Sequence, residues 1–246
     1  MNKTYNTSAI AKIIGIHPNT VRLYEKWGFI TAPIRKENGY RIFTNLHIYQ
    51  FMLARSALQI EVLQNGLRKK VITIIKTVAG NEYDLAQNLI NDYIKQIDIE
   101  ISNTYEAIDI VKELNSRTFI QNNIFLKRKD AALILGISTD TLRNWEMNGL
   151  LKVKRKSNGY RVYTNEDINK LKIIRTLRCA NFSFSEILNM TNKLEENKNI
   201  DIANIFDPQY KDTDIITTCN RLVLALHTCK ENAKYMNEMI EKIKIY

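Results

Sequence analysis

An internal repeat is the feature that most constrains how this chain can fold. Residues 11–28 match residues 132–149 at an offset of 121, and residues 35–55 match residues 155–175 at an offset of 120. Six of the eight glycines fall into matched pairs, so the two copies repeat backbone geometry as well as composition. Two copies of this length are too long for a solenoid. We therefore expect two small domains, each with its own core.

The composition is that of an ordinary globular protein, with 45% hydrophobic and 25% charged residues. No apolar run reaches the roughly eighteen residues that a membrane span needs, and the first thirty residues lack the pattern of a signal peptide. Three cysteines are too few for a disulfide framework. The expected compartment is the cytoplasm.

The net charge of +10 is distributed in alternating blocks. Residues 1–80 carry +9, residues 81–120 carry −5, residues 121–193 carry +8 and residues 194–246 carry −2. Two basic blocks indicate two modules that face a polyanion, each followed by a segment that avoids it. Charge alone is equally consistent with two solvated basic surfaces.

Each copy begins with the pattern of a helix-turn-helix. A short helix is predicted first, and a glycine ends it. A helix of about ten residues follows, and a second glycine ends that one. The first helices are predicted over residues 7–14 and 128–135, with Gly15 and Gly136 after them; the second run from His17 to Gly28 and from Ser138 to Gly149. In this motif the second helix lies in the major groove of DNA.

A basic hairpin is predicted after each pair of helices. Asn38-Gly39 and Asn158-Gly159 lie between basic and aromatic residues, and Asn-Gly is typical of a type I′ turn. A cationic hairpin beside a helix-turn-helix is a wing, which places positive side chains on the phosphates that flank the groove. An ordinary surface hairpin has the same local pattern, but its occurrence twice, beside Arg22 and Arg143, favours the wing.

Together these motifs resemble the MerR family of bacterial winged-helix regulators. The first copy carries Ala11-(x3)-Gly15-Ile16-(x3)-Thr20-Val21-Arg22-Leu23-Tyr24-Glu25-(x2)-Gly28, followed by Asn38-Gly39-Tyr40-Arg41. The second copy adds Ile173-Ile174-Arg175-Thr176-Leu177-Arg178 and Asn181-Phe182-Ser183-Phe184-Ser185-Glu186-Ile187, which are similar to the family's two helices after the wing. The resemblance covers about residues 1–75 and 125–193. Residues 60–66 depart from the later motif, Trp145 replaces the usual tyrosine, and two such domains in one chain are unlike the usual member.

The predicted DNA contacts lie at the starts of the two second helices and on the wings. Arginine can bind guanine bidentately, short polar side chains reach phosphates or base edges, and wing cations supply salt-sensitive affinity. The predicted helix contacts are His17, Asn19, Arg22, Ser138, Thr139 and Arg143, and the predicted wing contacts are Arg35, Lys36, Arg41, Arg155, Lys156 and Arg161. Four aromatic residues are also predicted contacts, with a core position as the equal alternative: Tyr24, Tyr40, Trp145 and Tyr160. Glu25 and Glu146 are expected to pair with a repeat arginine such as Arg41 or Arg161.

A long helix with coiled-coil spacing is predicted after each domain. The core positions are Ile90, Ile94, Ile97, Ile101, Thr104, Ile108 and Val111 in the first helix, and Ile215, Cys219, Leu222, Leu226, Cys229, Ala233, Met236, Ile240 and Ile243 in the second. About thirty residues make a helix about 45 Å long, whereas the connector at 117–124 spans at most ~29 Å. The second domain is therefore expected near the far end of the first long helix, with the two long helices paired antiparallel.

The predicted fold class is mostly α, with two winged helix-turn-helix domains, each with a small β-hairpin wing, joined by long helices that form an antiparallel coiled coil. The predicted segments are a first winged domain at 1–80, a long dimerisation-type helix at 81–117, a linker at 118–124, a second winged domain at 125–193, a loop at 194–213 and a C-terminal coiled-coil helix at 214–246. Because MerR-family dimers are built around such a helix pair, the chain resembles a dimer fused into one polypeptide. A homodimer with four domains is the alternative.

No metal, cofactor or enzymatic activity is expected. Cys219 and Cys229 are ten helical residues apart, about 15 Å, which is too far to ligate one ion on a continuous helix. Neither copy shows paired catalytic groups, phosphate-cradling glycines or a nucleophile beside a histidine.

We predict a nucleoid-associated, sequence-specific transcriptional regulator that binds double-stranded DNA. Because His17-Pro18-Asn19 differs from Ser138-Thr139-Asp140, the two half-sites are expected to differ in sequence. The family resemblance implies action at a promoter with RNA polymerase and distortion of the promoter DNA. An architectural DNA-binding protein, such as an excisionase-like recombination factor or a partition protein, is the alternative. A coiled-coil interaction protein with degenerate DNA domains would show no salt-dependent binding to a duplex.

Overall fold

The described part of the chain is mostly helical, as the sequence predicts. The computed structural model describes residues 3–59, 66–116, 125–154, 159, 161–197 and 215–245. The helices along these residues are α1 (Thr7–Ile14), α2 (Pro18–Trp27), α3 (Asn45–Ala57), α4 (Leu67–Ala79), α5 (Tyr83–Ser116), α6 (Arg128–Leu135), α7 (Thr139–Met147), α8 (Asn165–Cys179), α9 (Phe184–Asn197) and α10 (Ile215–Lys244). Two short strands, β1 (Ile34–Arg35) and β2 (Arg41–Ile42), form an antiparallel pair after α2.

The chain divides into two compact units, and each unit contains one copy of the repeat. The first unit comprises Met1–Asp98 and Ala225–Tyr246, and the second comprises Ile99–Leu224. Matched positions of the two copies are buried in their respective cores: Ala11 and Ala132, Val21 and Leu142, Phe43 and Tyr163, Ala54 and Ile174. Two small cores are what the repeat predicts, and this prediction is confirmed.

Local capping explains why the helix pairs begin and end where they do. Asn6 accepts a hydrogen bond from the Ala9 amide at 2.8 Å, and Gly15 ends α1 in the left-handed conformation with φ of 70°. His17 caps α2 because its Nδ1 accepts from the Asn19 amide at 3.2 Å, while Pro18 occupies the first helical position. In the second copy Ser138 caps α7, as predicted, by accepting from the Thr141 amide at 3.0 Å.

The turn of the first wing differs from the predicted type I′ turn. The Gly39 amide donates to the Lys36 carbonyl at 2.8 Å, and the Lys36 amide donates to the Tyr40 carbonyl at 2.9 Å. Only Gly39 has a positive φ, of 80°, in this turn, whereas a type I′ turn needs two such residues. The loop is therefore the three-residue kind, in which a left-handed glycine follows a type I turn. The Asn-Gly pair predicted the hairpin correctly. In the observed loop, however, Asn38 lies outside the left-handed region.

The long helices α5 and α10 pair antiparallel within each unit. In the first unit, Lys244 Nζ lies 2.7 Å from Asp84 Oδ1 and Lys230 Nζ lies 2.6 Å from Asp98 Oδ1. The residue numbers of these partners increase along α5 and decrease along α10, so the two helices run antiparallel. In the second unit, Ile215 and Cys219 of α10 join a buried cluster with Ile108 and Val111 of α5. The predicted antiparallel helix pair is confirmed.

All nine predicted core positions of α10 are buried, but the buried stripe of α5 is shifted from the prediction. Ile94 and Ile101 are only partly buried, whereas their neighbours Tyr93 and Glu100 are buried. A heptad pattern read from apolar residues alone misses both, because each polar tip has a partner: the Tyr93 hydroxyl bonds to Cys229 and the Glu100 carboxylate bonds to Arg175. Thr104, the predicted polar exception, is buried and donates to the Glu100 carbonyl at 2.6 Å.

Two predicted connections are corrected or lie outside the described residues. Residues 194–197, predicted as part of a loop, belong to the last turn of α9. The rest of that loop, the linker at 118–124 and most of the divergent segment at 60–66 lie outside the described residues. In the described parts of the chain, no helix is both long enough and apolar enough to cross a membrane.

Candidate nucleic-acid interface

The second helix of each copy has one buried face and one exposed face. In α2, Val21 and Tyr24 point into the core, and their counterparts in α7, Leu142 and Trp145, do the same. Residues three or four positions apart share a helix face. The exposed residues on the opposite face are Asn19, Arg22, Leu23 and Lys26 in α2, and Asp140, Arg143, Asn144 and Met147 in α7.

The predicted helix contacts are all exposed, and Arg22 is held in position by its own helix. The Arg22 guanidinium donates to Asn19 Oδ1 at 2.7 Å. Among the described residues the Arg143 side chain has no such partner. The remaining predicted residues, His17, Ser138 and Thr139, lie at the exposed N-terminal ends of the two helices. Each copy thus presents an arginine and short polar groups on one open helix face.

A glutamate attaches the first wing to α2. Glu25 Oε2 lies 2.5 Å from Arg41 Nε and Glu25 Oε1 lies 3.1 Å from Arg35 Nη2. The Glu25 side chain is mostly buried between them. The predicted pairing of Glu25 with Arg41 is confirmed. Because Arg41 and Arg35 both bind this carboxylate, they fix the orientation of the wing and also add positive charge to it.

The second copy repeats this attachment with additional partners. Glu146 Oε2 lies 2.8 Å from Arg161 Nε, as predicted, and 2.6 Å from Arg128 Nη2. The Tyr163 hydroxyl donates to the other carboxylate oxygen. Burial, together with this hydrogen bond to Glu146, raises the pKa of Tyr163 to about 12, so the hydroxyl keeps its proton and remains a donor. Hydrogen bonds to Tyr163 and Glu146 likewise raise the pKa of Arg128.

Arg128 and Tyr163 were missed by sequence reasoning. Their counterparts in the first copy are Thr7 and Phe43, which cannot bind a carboxylate in the same way. A comparison of the two copies at these positions was the available signal, because arginine replaces threonine and tyrosine replaces phenylalanine in the same copy. Their common partner could not be read from the sequence.

Two predicted aromatic contacts belong to the cores instead. Tyr24 is 8% exposed and its ring stacks on Phe51 with a centroid separation of 5.5 Å, and Trp145 is 4% exposed. Burial raises the pKa of Tyr24. Tyr24 and Trp145 therefore occupy core positions, which the sequence left open as the alternative. Each sits on the inward face of its helix, where an aromatic ring buries a large apolar area.

The other predicted wing residues divide into exposed and undescribed ones. Lys36 and Tyr40 are exposed at the tip of the first wing. Arg155, Lys156 and Tyr160 of the second wing lie outside the described residues. The described part of the second hairpin is closed by the Val162 amide, which donates to the Lys154 carbonyl at 3.1 Å.

One matched pair of arginines has different partners in the two copies. Arg55 in α3 donates to the Ile14 carbonyl at the C-terminal end of α1, and so supports the helix-turn-helix directly. Its counterpart Arg175 in α8 instead donates to Glu100 Oε1 of α5 at 2.9 Å. Arginine at this matched position therefore binds α1 in the first unit and α5 in the second.

Two helices followed by a hairpin that is bound to the second helix define the winged helix-turn-helix class of nucleic-acid-binding domains. We call residues 7–43 head 1 and residues 128–163 head 2. The family model described as "MerR family regulatory protein" matches residues 6–43, and the model described as "MerR HTH family regulatory protein" matches residues 126–194. The chain therefore contains two MerR-like domains.

Individual relatives match a short region of the chain. The HTH-type transcriptional regulator CueR of Escherichia coli O6:H1 is 44% identical over 55 residues, which is 22% of this chain and 41% of CueR. CueR of Salmonella typhi is 42% identical over 55 residues, 22% of this chain and 40% of that protein. A probable heavy metal-dependent transcriptional regulator of Haemophilus influenzae is 39% identical over 59 residues, 24% of this chain and 46% of that protein. The chain spans about two fifths of the length of the CueR relatives it matches. No solved structure matches the chain.

The three cysteines are packed in the cores of the part of the chain that the structure describes. Cys179, Cys219 and Cys229 are reduced and buried. Burial raises the pKa of the Cys229 thiol, which keeps it protonated beside the Tyr93 hydroxyl. Across the described ranges, no three histidine, cysteine or acidic side chains lie close enough together to hold a metal ion.

Proposed function

We propose that the chain is a transcriptional regulator of the MerR family that binds double-stranded DNA sequence-specifically through head 1 and head 2. The observation that carries the proposal is an arrangement present in both heads. An exposed arginine, Arg22 or Arg143, lies on the open face of the second helix, and a glutamate on the same helix holds the wing. Such a helix and wing are suited to the major groove and its flanking phosphates.

Charge supports a polyanionic ligand. The segments that contain the heads carry +9 and +8, whereas the segments that contain the long helices carry −5 and −2. Glu25 and Glu146, the acidic groups of α2 and α7 that hold the wings, are neutralised by arginines. These two carboxylates therefore do not oppose phosphate binding by the cations that remain exposed.

We further propose that one chain reads two half-sites that differ in sequence. Only Arg22 and Arg143 are the same at equivalent positions on the exposed faces of α2 and α7. A perfect palindrome matches two identical heads related by two-fold symmetry, so a monomer with two different heads is not expected to select one. By analogy with the matched family, the site is a promoter at which the protein works with RNA polymerase and distorts the DNA.

Binding to duplex DNA is tested by fluorescence anisotropy at several salt concentrations. We expect the affinity of the full chain to fall as salt rises. Arg22→Ala and Arg143→Ala are each expected to weaken binding by about tenfold, and the double variant to lose specific binding. Lys234→Ala, which removes an exposed cation from α10, is the matched control and should leave affinity unchanged. Unaltered binding by the double arginine variant would contradict the proposal.

The biological role is tested by sequencing the DNA that the protein enriches from its native genome. Enrichment at promoter spacers supports a transcriptional regulator, whereas enrichment at element ends or in centromere-like arrays identifies an architectural protein. Light scattering on the bound complex tests the number of chains. A complex that contains one 28.7 kDa chain supports the pseudo-dimeric monomer, and a species with two chains supports a homodimer.

A further inference from the structure

The exposed faces of α2 and α7 carry different chemistry at equivalent positions. The pairs are Asn19 and Asp140, Arg22 and Arg143, Leu23 and Asn144, Lys26 and Met147. The buried faces, by contrast, keep similar apolar residues, Val21 opposite Leu142 and Tyr24 opposite Trp145. The scaffold has been preserved while the outward face has changed.

We infer that Asp140 is a specificity-determining residue of head 2 and that it selects cytosine in the half-site of that head. The inference rests on the proposed function, because it assigns a base preference to one of the two proposed reading helices. Asp140 lies in the first turn of α7, where the N-terminal residues of a recognition helix meet base edges.

The chemistry of a carboxylate restricts the bases it can face. An aspartate accepts hydrogen bonds and donates none, so it suits the N4 amino group of cytosine in the major groove. The edges of guanine and thymine present the acceptors N7, O6 and O4, which repel it, and in adenine the N6 amino donor lies beside the acceptor N7. Asn19 has both an amide donor and an acceptor, a combination that suits adenine.

The structure leaves the Asp140 carboxylate available for such a contact. The usual local use of an acidic group here would be to cap α7, but Ser138 Oγ already accepts from the Thr141 amide at 3.0 Å. In head 1, the equivalent Asn19 is occupied with Arg22 at 2.7 Å. Asp140 makes no equivalent bond to Arg143 in the described structure, and its side chain is exposed.

The acidic residue also changes how much head 2 gains from phosphate alone. The exposed face of α2 carries two cations, Arg22 and Lys26, and no acid. The exposed face of α7 carries Arg143 together with Asp140, so its formal charge is zero. On a non-cognate duplex, Asp140 repels the backbone and gains nothing in return. Head 2 is therefore the more selective of the two heads.

The test compares wild type, Asp140→Asn and the reciprocal variant Asn19→Asp, all as full chains. Each protein selects duplexes from a randomised pool, and affinities are then measured with every base at each selected position. We expect wild type to prefer cytosine at one position by about 5- to 150-fold, and Asp140→Asn to lose that preference. The same variant should bind random duplex more tightly and with a steeper salt dependence. In Asn19→Asp the new carboxylate faces Arg22, which already donates to the side chain at this position at 2.7 Å, so this control should gain no cytosine preference in the other half-site.

Circular dichroism separates a base contact from a purely structural role. An acidic group in the first turn also stabilises a helix through the macrodipole, so Asp140→Asn is expected to lower the melting temperature slightly. A lower melting temperature with an unchanged base preference would overturn the inference. If wild type shows no salt-dependent binding to any duplex, the proposed function itself fails. Salt-dependent binding with identical selected sites for wild type and Asp140→Asn refutes only the role of Asp140.

Discussion

Replacement of Glu100 by methionine should destabilise the second unit far more than the loss of an ordinary surface ion pair. Glu100 and Arg175 are 1% and 8% exposed, and a single bond of 2.9 Å joins Glu100 Oε1 to Arg175 Nη2. Two other nitrogens of Arg175, Nε and Nη1, are buried without a hydrogen-bond partner in the described structure. Arg175 therefore depends on Glu100 for its charge compensation.

The expected magnitude follows from this burial. Removal of one member of a buried pair leaves an uncompensated charge and costs about 3–5 kcal/mol of unfolding free energy. Total stability for a domain is about 5–15 kcal/mol, so the loss is a large fraction of it. Glu100→Met combined with Arg175→Met removes both charges of this pair and should recover much of the stability lost in Glu100→Met.

The same two helices provide a matched control. Lys172 in α8 and Glu106 in α5 lie 2.7 Å apart, but their side chains are 23% and 49% exposed. Glu106→Met should therefore cost less than about 1 kcal/mol. Similar losses for Glu100→Met and Glu106→Met would refute the reasoning, as would a double variant no more stable than Glu100→Met.

Urea unfolding is the appropriate assay, with Trp145 as the probe of the second unit. Trp145 is buried there, and Trp27→Phe removes the other tryptophan of the chain. A shift in the midpoint at constant slope reports a change in stability, whereas a change in slope reports altered compactness of the denatured or native state or a loss of two-state behaviour. Far-ultraviolet circular dichroism on the same samples records the helices.

Three further perturbations are informative. Burial lowers the pKa of His47, and its Nδ1 accepts from the Thr44 amide at 3.0 Å, so the folded state disfavours the imidazolium. The unfolding free energy should therefore fall as the pH drops below about 6.5, the ordinary pKa of histidine. His47→Asp, the residue type of the matching cap in α8, should abolish that fall between pH 7 and 5.5 in thermal melts, and its persistence would exclude His47 as the cause. Gly39→Ala, at φ of +80°, should cost about 1–2 kcal/mol in urea unfolding, whereas Gly80→Ala, where φ is −80°, should be neutral or stabilising; equal effects would contradict the turn geometry. Glu25→Gln should weaken duplex binding by about tenfold despite adding net positive charge, because the wing loses its attachment; tighter binding would show that charge outweighs wing position.

The local pattern of the sequence was sufficient for much of the fold and for the positions of the candidate contacts. Glycines after short apolar helices predicted the ends of α1 and α6, and the Asn-Gly pair predicted the first wing. The four-and-three spacing from Ile215 to Ile243 predicted the buried stripe of α10 without error. These signals are reliable because each depends on residues within one or two turns of each other. Duplication strengthened them, since each appeared twice.

Tertiary structure decided which polar groups are buried and what they bind. Tyr93 and Glu100 entered the buried stripe of α5 in place of Ile94 and Ile101, because Cys229 and Arg175 satisfy their polar atoms. The partner of a buried polar group lies far away in the chain, and the cost of burial depends on that partner. No local pattern contains this information.

The same distinction applies to the candidate interface. The exposed arginines of α2 and α7 and the pairing of Glu25 with Arg41 follow from the repeat, and they are where the sequence placed them. The convergence of Arg128 and Tyr163 on Glu146 does not follow from it. Sequence alone determined the ends of α1 and α6, the position of the first hairpin and the buried stripe of α10, because these depend on neighbours along the chain. Only the folded structure decided the additional partners of Glu146, the buried Glu100–Arg175 pair and the inward direction of Tyr24 and Trp145, because these depend on neighbours in space.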